Sequence, residues 1–166
     1  MGMGYPISYM VSSNQDEEAV SEFLKWTFAQ AEMAPPTFIM VDADKAEANA
    51  IRAFGSTPVI CYFHFCQALK RRLTKTGLGL PESEHTQFSY LVKAAQDEED
   101  PVQFAKKHAT LQAFLSGVQG GAELANYWAE NWSSPVMCLT WARIGHRTLK
   151  REARTNNLLE RCVPHT

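Results

Sequence analysis

The stretch Phe38-Ile39-Met40-Val41-Asp42 decides how this chain is read, together with Asp44-Lys45-Ala46-Glu47 just after it and Val59-Ile60-Cys61 further on. An apolar run of four, bounded by Thr37 and Asp42, predicts a buried strand that delivers a carboxylate at its C-terminal end. Asp44 suits a helix N-cap, and Glu47, three residues on, suits the acid of a capping box. Ala46, Ala50, Ile51 and Phe54 would line one face of that helix. Gly55-Ser56-Thr57-Pro58 stops it, and Val59-Ile60-Cys61 reads as a second short buried strand. Strand, helix and strand make a βαβ unit, so the two strands are expected to lie parallel. Open parallel sheets hold their chemistry at the carboxyl ends of strands, and both Asp42 and Cys61 fall there.

Working outward, Tyr5 to Val11 predicts a further strand with Pro6 near its start. A helix follows from about Asp16, with Val20, Phe23, Leu24, Phe28 and Ala31 at helical spacing until Ala34-Pro35-Pro36 ends it. After Cys61 a helix carries Cys66, Leu69 and Leu73 on one side and Lys70, Arg71 and Arg72 largely on the others. Gly77, Gly79 and Pro81 break it. Residues 83–150 read as helical throughout: one helix around Phe88, Leu91, Val92 and Ala95, then one through Phe104, His108, Leu111 and Leu115. The latter opens at Asp97-Glu98-Glu99-Asp100-Pro101, negative charge and proline where a helix start favours them. Leu124, Tyr127 and Trp128 mark a third, and Pro135 starts a fourth through Trp141 and Ile144. Three regions result: an α/β part over 1–75, a helical part over 76–150 and a last helix over 151–166.

A chain of 166 residues fits one domain with a sizeable core. It holds no apolar run long enough to span a membrane and no signal-peptide pattern at its start, so the expectation is an intracellular protein. Four cysteines (Cys61, Cys66, Cys138, Cys162) at irregular spacing argue against a disulfide framework. The net charge of −2 does not advertise nucleic-acid binding, but it averages over local clusters. Lys70, Arg71, Arg72 and Lys75 form one, and Arg143, Arg147, Lys150, Arg151 and Arg154 form another. Phosphate contact and a solvated helix face explain these clusters equally well.

Val41-Asp42 followed by Ala46-Glu47-Ala48-Asn49-Ala50-Ile51, then Cys61-x-x-His64, and far downstream Arg154-Thr155-Asn156-Asn157-Leu158-Leu159-Glu160, resemble the transposase domain of Mutator-like (MULE) DNA transposable elements. The resemblance spans about Gly4 to Glu160. It implies an α/β fold: an RNase H-like (DDE transposase) core with an all-helical insertion between the second and third catalytic acids. In that family an acid triad binds two divalent metals, Mg²⁺ or Mn²⁺, and works on DNA in the nucleus. Asp42 matches the second acid and Glu160 the third, both as metal ligands. No residue here matches the first, which the family carries on a strand before the region where this chain begins. The expected core is therefore truncated, lacking two strands, one of them central. Unpaired backbone along a buried strand is costly. The sheet must re-pair, or take a second copy or another partner to complete it.

With two acids, the metal shared by the first and second loses a principal ligand, and Mg²⁺ binds through few carboxylates already. Two metals roughly 4 Å apart are what phosphodiester chemistry requires, so the expectation is a catalytically inactive chain. The alternative is a co-opted DNA-binding or protein-interaction module that uses the basic clusters without catalysis. Cys61 and His64 admit three readings: a role in positioning the active site or DNA, a buried thiol and a satisfied histidine without a role, or zinc shared with Cys162 and His165. Trp128, Trp132 and Trp141 with Tyr127 read as core, with base stacking as the minority alternative.

Overall fold

The computed structural model describes Met10 and residues 16–75 and 80–148, with the backbone alone for 74 and 75. Nearly all of the regular structure is helical, with one pair of parallel strands, so the fold is mixed α/β. The described residues divide into two compact units between His64 and Phe65. The predicted strand over Tyr5–Val11 lies outside the described residues except for Met10, which is in no strand. The predicted last helix, with Arg151, Arg154 and Glu160, also lies outside them, as do Cys162 and His165.

The first unit opens with α1 (Glu17–Gln30), capped by Asp16, whose carboxylate accepts from the Ala19 N–H at 2.9 Å. The helix stops before the prolines predicted to end it. Glu32 takes the left-handed conformation (φ 52°), and its N–H and that of Met33 turn back to the Ala29 and Phe28 carbonyls. This closure satisfies the last helical carbonyls and leaves Ala31 exposed rather than on the apolar stripe. Strand β1 (Phe38–Val41) leads to α2 (Lys45–Ala53), where Asp44 accepts from the N–H groups of Ala46 and Glu47 at 2.8 and 3.1 Å. The same closure ends α2, with Gly55 at φ 93° and the Ser56 N–H returning to the Ile51 carbonyl. A side chain at position 55 would resist that conformation.

Strand β2 (Thr57–Ile60) pairs parallel to β1 with Phe38 opposite Thr57 and Val41 opposite Ile60, as the βαβ reading expects. The Thr57 N–H donates to the Thr37 carbonyl at 2.8 Å and the Cys61 N–H to the Val41 carbonyl at 2.7 Å. Odd-numbered residues of β2 therefore face β1, and Pro58, which has no N–H to give, faces away from it. One expectation needs correcting. β1 is not a buried strand: all four of its residues are half-buried, whereas Val59 and Ile60 of β2 are buried. Among the described residues β1 has a neighbouring strand on one edge alone.

The second unit contains most of α3 (Tyr62–Lys75), then α4 (Glu82–Gln96), α5 (Pro101–Gly117), α6 (Ala122–Asn131), α7 (Pro135–Trp141) and a 3₁₀ turn (Arg143–Gly145). The helical reading of this region holds across its described residues. The α3 stripe is Phe65, Leu69 and Leu73, one helical turn apart, with Cys66 only half-buried. Phe65 stacks on Trp141 at 5.2 Å between ring centres and meets Trp132 edge-on at 4.9 Å. Trp128 and Trp141 pack edge to face at 5.4 Å, each buried to within 1%. Such pairs contribute about 0.5–1.5 kcal/mol each beyond the area they bury. The expected helix through Ile144 ends early, at Trp141. The turn after it folds back until Gly145 sits against the Leu139 backbone, where a Cβ would collide.

The acidic run between α4 and α5 is used within the fold rather than simply solvated. Asp97 pairs with Lys93, Glu98 with Lys107, Glu99 with Arg143, and Asp100 caps α5 by accepting from the Gln103 N–H. Lys107 at 2.6 Å and the N–H groups of Asp100 and Glu99 hold the Glu98 carboxyl down to about 2.

Candidate functional site

The carboxyl end of the strand pair gathers the residues that the sequence singles out. β1 delivers Asp42, β2 delivers the buried Cys61, and the first turn of α3 brings round His64. His64 Nδ1 lies 2.8 Å from Asp42 Oδ1, an ion pair when the imidazole is protonated. The aspartate side chain is 51% exposed and the histidine 19%, so solvent reaches the carboxylate but screens the imidazole less. Asp44, occupied as the α2 cap, does not replace Asp42 in this pairing.

Glu47 joins this group in a way that spacing does not show. A capping box would have it reach back to Asp44. Instead its carboxyl accepts from the Asp42 backbone N–H, which favours the ionised form. Burial outweighs that bond and pushes Glu47 above the usual carboxylate range, with the Asp42 and Asp44 carboxylates adding to the rise. Three acids around one strand end concentrate negative charge, and His64 offsets a part of it.

Among the described residues no three of His, Cys, Asp and Glu are placed to hold a metal ion. Asp42 faces His64, Glu47 is turned to a backbone N–H, and Glu160 lies outside the described residues. The zinc reading of Cys61 and His64 finds no further described ligand, since its other pair, Cys162 and His165, also falls outside.

The basic residues divide. The Arg72 guanidinium lies over the Tyr127 ring, 5.1 Å from the centroid. Arg143 is held by Glu99. Lys70, Arg71 and Arg147 are exposed.

The second unit holds a His–Cys neighbourhood that nothing in the sequence pattern announces, its members being far apart in the chain. Cys138 Sγ is 4.0 Å from His108 Nε2, but the geometry opposes a nucleophile and its base. The Trp128 indole N–H donates to that same Nε2 at 3.3 Å, occupying its lone pair. Burial pushes the thiol up to about 11 and His108 below its usual value, so both stay neutral. Trp128, Trp132 and Trp141 are buried, in line with the reading as core. In comparisons with known proteins, no family model, no curated protein and no solved structure matches the chain.

Proposed function

We propose that this chain is a transposase-derived domain of the Mutator-like type, with an RNase H-like ancestry and no DNA cleavage of its own. One observation carries the reading. Two separate pieces of the resemblance, Asp42 after the first strand and the Cys-x-x-His element after the second, meet at 2.8 Å at the carboxyl end of a parallel pair. That is where an α/β fold places its chemistry. There the Asp42 carboxylate faces His64 and the Glu47 carboxyl accepts from a backbone N–H. Action on DNA in the nucleus, with Mg²⁺ or Mn²⁺, belongs to the ancestor under this proposal.

The test is nicking and strand transfer on supercoiled DNA carrying terminal inverted repeats, with Mg²⁺ or Mn²⁺. The expected result is no activity above that of the Asp42→Ala protein. Cleavage that is abolished by Asp42→Ala would show an active chain and overturn the proposal that it has lost catalysis.

A second reading, a non-catalytic DNA-binding module, draws on the exposed Lys70, Arg71 and Arg147. It expects duplex binding that weakens steeply with salt, survives Asp42→Ala and falls when Arg71 and Arg147 are changed to Gln. Binding indifferent to salt would remove it.

A further inference from the structure

Thr148 is the only serine or threonine in the sequence with a Lys or Arg two residues after it. The stretch around it reads Arg147-Thr148-Leu149-Lys150-Arg151, so three basic residues of one cluster flank the hydroxyl in sequence. Short runs of this kind also arise by chance, and what singles this one out is its place in the fold.

Thr110 and Ser116 donate back to the Lys106 and Gln112 carbonyls inside α5, and Ser134 caps α7. Thr27, Ser56 and Thr140 are buried, and Ser83, though exposed, stands between Glu82 and Glu84. Thr148 lies in a turn just past the 3₁₀ segment, and both it and Arg147 are exposed. The two residues before them are fixed: His146 is buried, and Gly145 sits against the Leu139 backbone. An enzyme that recognises this hydroxyl by the charge around it gains nothing from Gly145 and His146. It has Arg147, Lys150 and Arg151 to read, a bias toward the C-terminal side.

We propose that Thr148 is a phosphorylation site for a serine/threonine kinase that selects basic residues on the C-terminal side of its target, and that the phosphate neutralises this cluster. In the transfer, Thr148 Oγ1 attacks the γ-phosphorus of ATP and the bond from that phosphorus to the β–γ bridging oxygen breaks. ADP leaves, and the hydroxyl proton passes to the kinase's carboxylate base. The product carries about 1.5 to 2 negative charges at neutral pH and accepts strong hydrogen bonds from Arg and Lys. Such a phosphate competes for Arg147, Lys150 and Arg151 with any other polyanion. Its effect on duplex DNA rests on the DNA-binding reading, which uses Arg147. The modification itself does not, and it is independent of the transposase ancestry.

The experiment treats the full, folded chain with ATP and the catalytic domain of protein kinase C, which reads basic residues after its target. A single phosphate per chain is expected, mapped by mass spectrometry to Thr148 and lost in Thr148→Val. The cAMP-dependent protein kinase, which reads arginines two and three residues before its target, is expected to leave Thr148 unmodified. Binding of fluorescein-labelled heparin is then followed over a salt series, and phosphorylation is expected to reduce the slope of log K against log salt by about one to two. The proposal is overturned if the folded chain takes no phosphate, or if the phosphate maps to another hydroxyl. It is equally overturned if both kinases modify Thr148 alike, or if heparin binding is indifferent to the phosphate. Duplex binding is a separate measurement: its absence from the unmodified chain would remove the DNA-binding reading and leave Thr148 as the phosphate acceptor.

Discussion

The two units of this protein solve the burial problem in different ways. The helical unit closes around rings: Phe65, Trp128, Trp132 and Trp141 are buried, with the Trp128 indole N–H donating to His108 and the Trp141 indole N–H to the Trp132 carbonyl. The α/β unit stays open where its strand pair meets solvent, and β1 is half-buried along its whole length. Buried side chains with satisfied partners give rigidity, while a half-covered strand end leaves groups able to engage something else. Every residue of the proposed Asp42 site belongs to the open unit.

The largest expected effect breaks the closed unit. Trp128→Ala is predicted to cost about 3–5 kcal/mol in urea unfolding, because it removes a side chain packed on all sides together with its hydrogen bond to His108. Met40→Ala, in the open unit, is predicted to cost about 1 kcal/mol, since part of that side chain is already in water. Equal costs would erase the contrast between the units. Asp44→Ala is predicted to cost about 1 kcal/mol by removing the cap of α2, with Asp44→Asn restoring most of it.

How much of this is legible in the sequence follows from the range of each signal. The cap at Asp44, the break at Gly55, the parallel direction of the strand pair and the start of α5 at Pro101 follow from the sequence pattern, and the structure has them. The helix stop at Glu32 escapes a sequence reading because a left-handed glutamate is set by the carbonyls it closes on, not by its residue type. The Asp42–His64 contact, Arg72 over Tyr127 and Glu99 on Arg143 depend on tertiary placement, which spacing alone does not encode. The acidic run from Asp97 to Asp100 reads as a helix start, and its pairings with Lys93, Lys107 and Arg143 are set by the fold. Half-burial of β1 is equally hidden, since an apolar run specifies what a strand can bury, not what is present to cover it.

Acid should loosen the closed unit through His108. Its pKa is lowered in the fold by burial, so folding holds the neutral ring. The stability this contributes is full above the ordinary value of 6.5 and is lost as pH falls from there through the lowered folded value. Urea midpoints at pH 7.5 and 5.5 should therefore differ more for the wild type than for His108→Gln. An equal difference would show that His108 does not govern the change.

The smallest effect is also the most pointed. A double-mutant cycle on Asp42→Asn and His64→Gln, read by urea unfolding at a pH where imidazole is protonated, asks whether two pieces of sequence form one site. A favourable coupling of about 0.2–1 kcal/mol is predicted, as befits a pair partly open to solvent. Strictly additive single-mutant effects would contradict it.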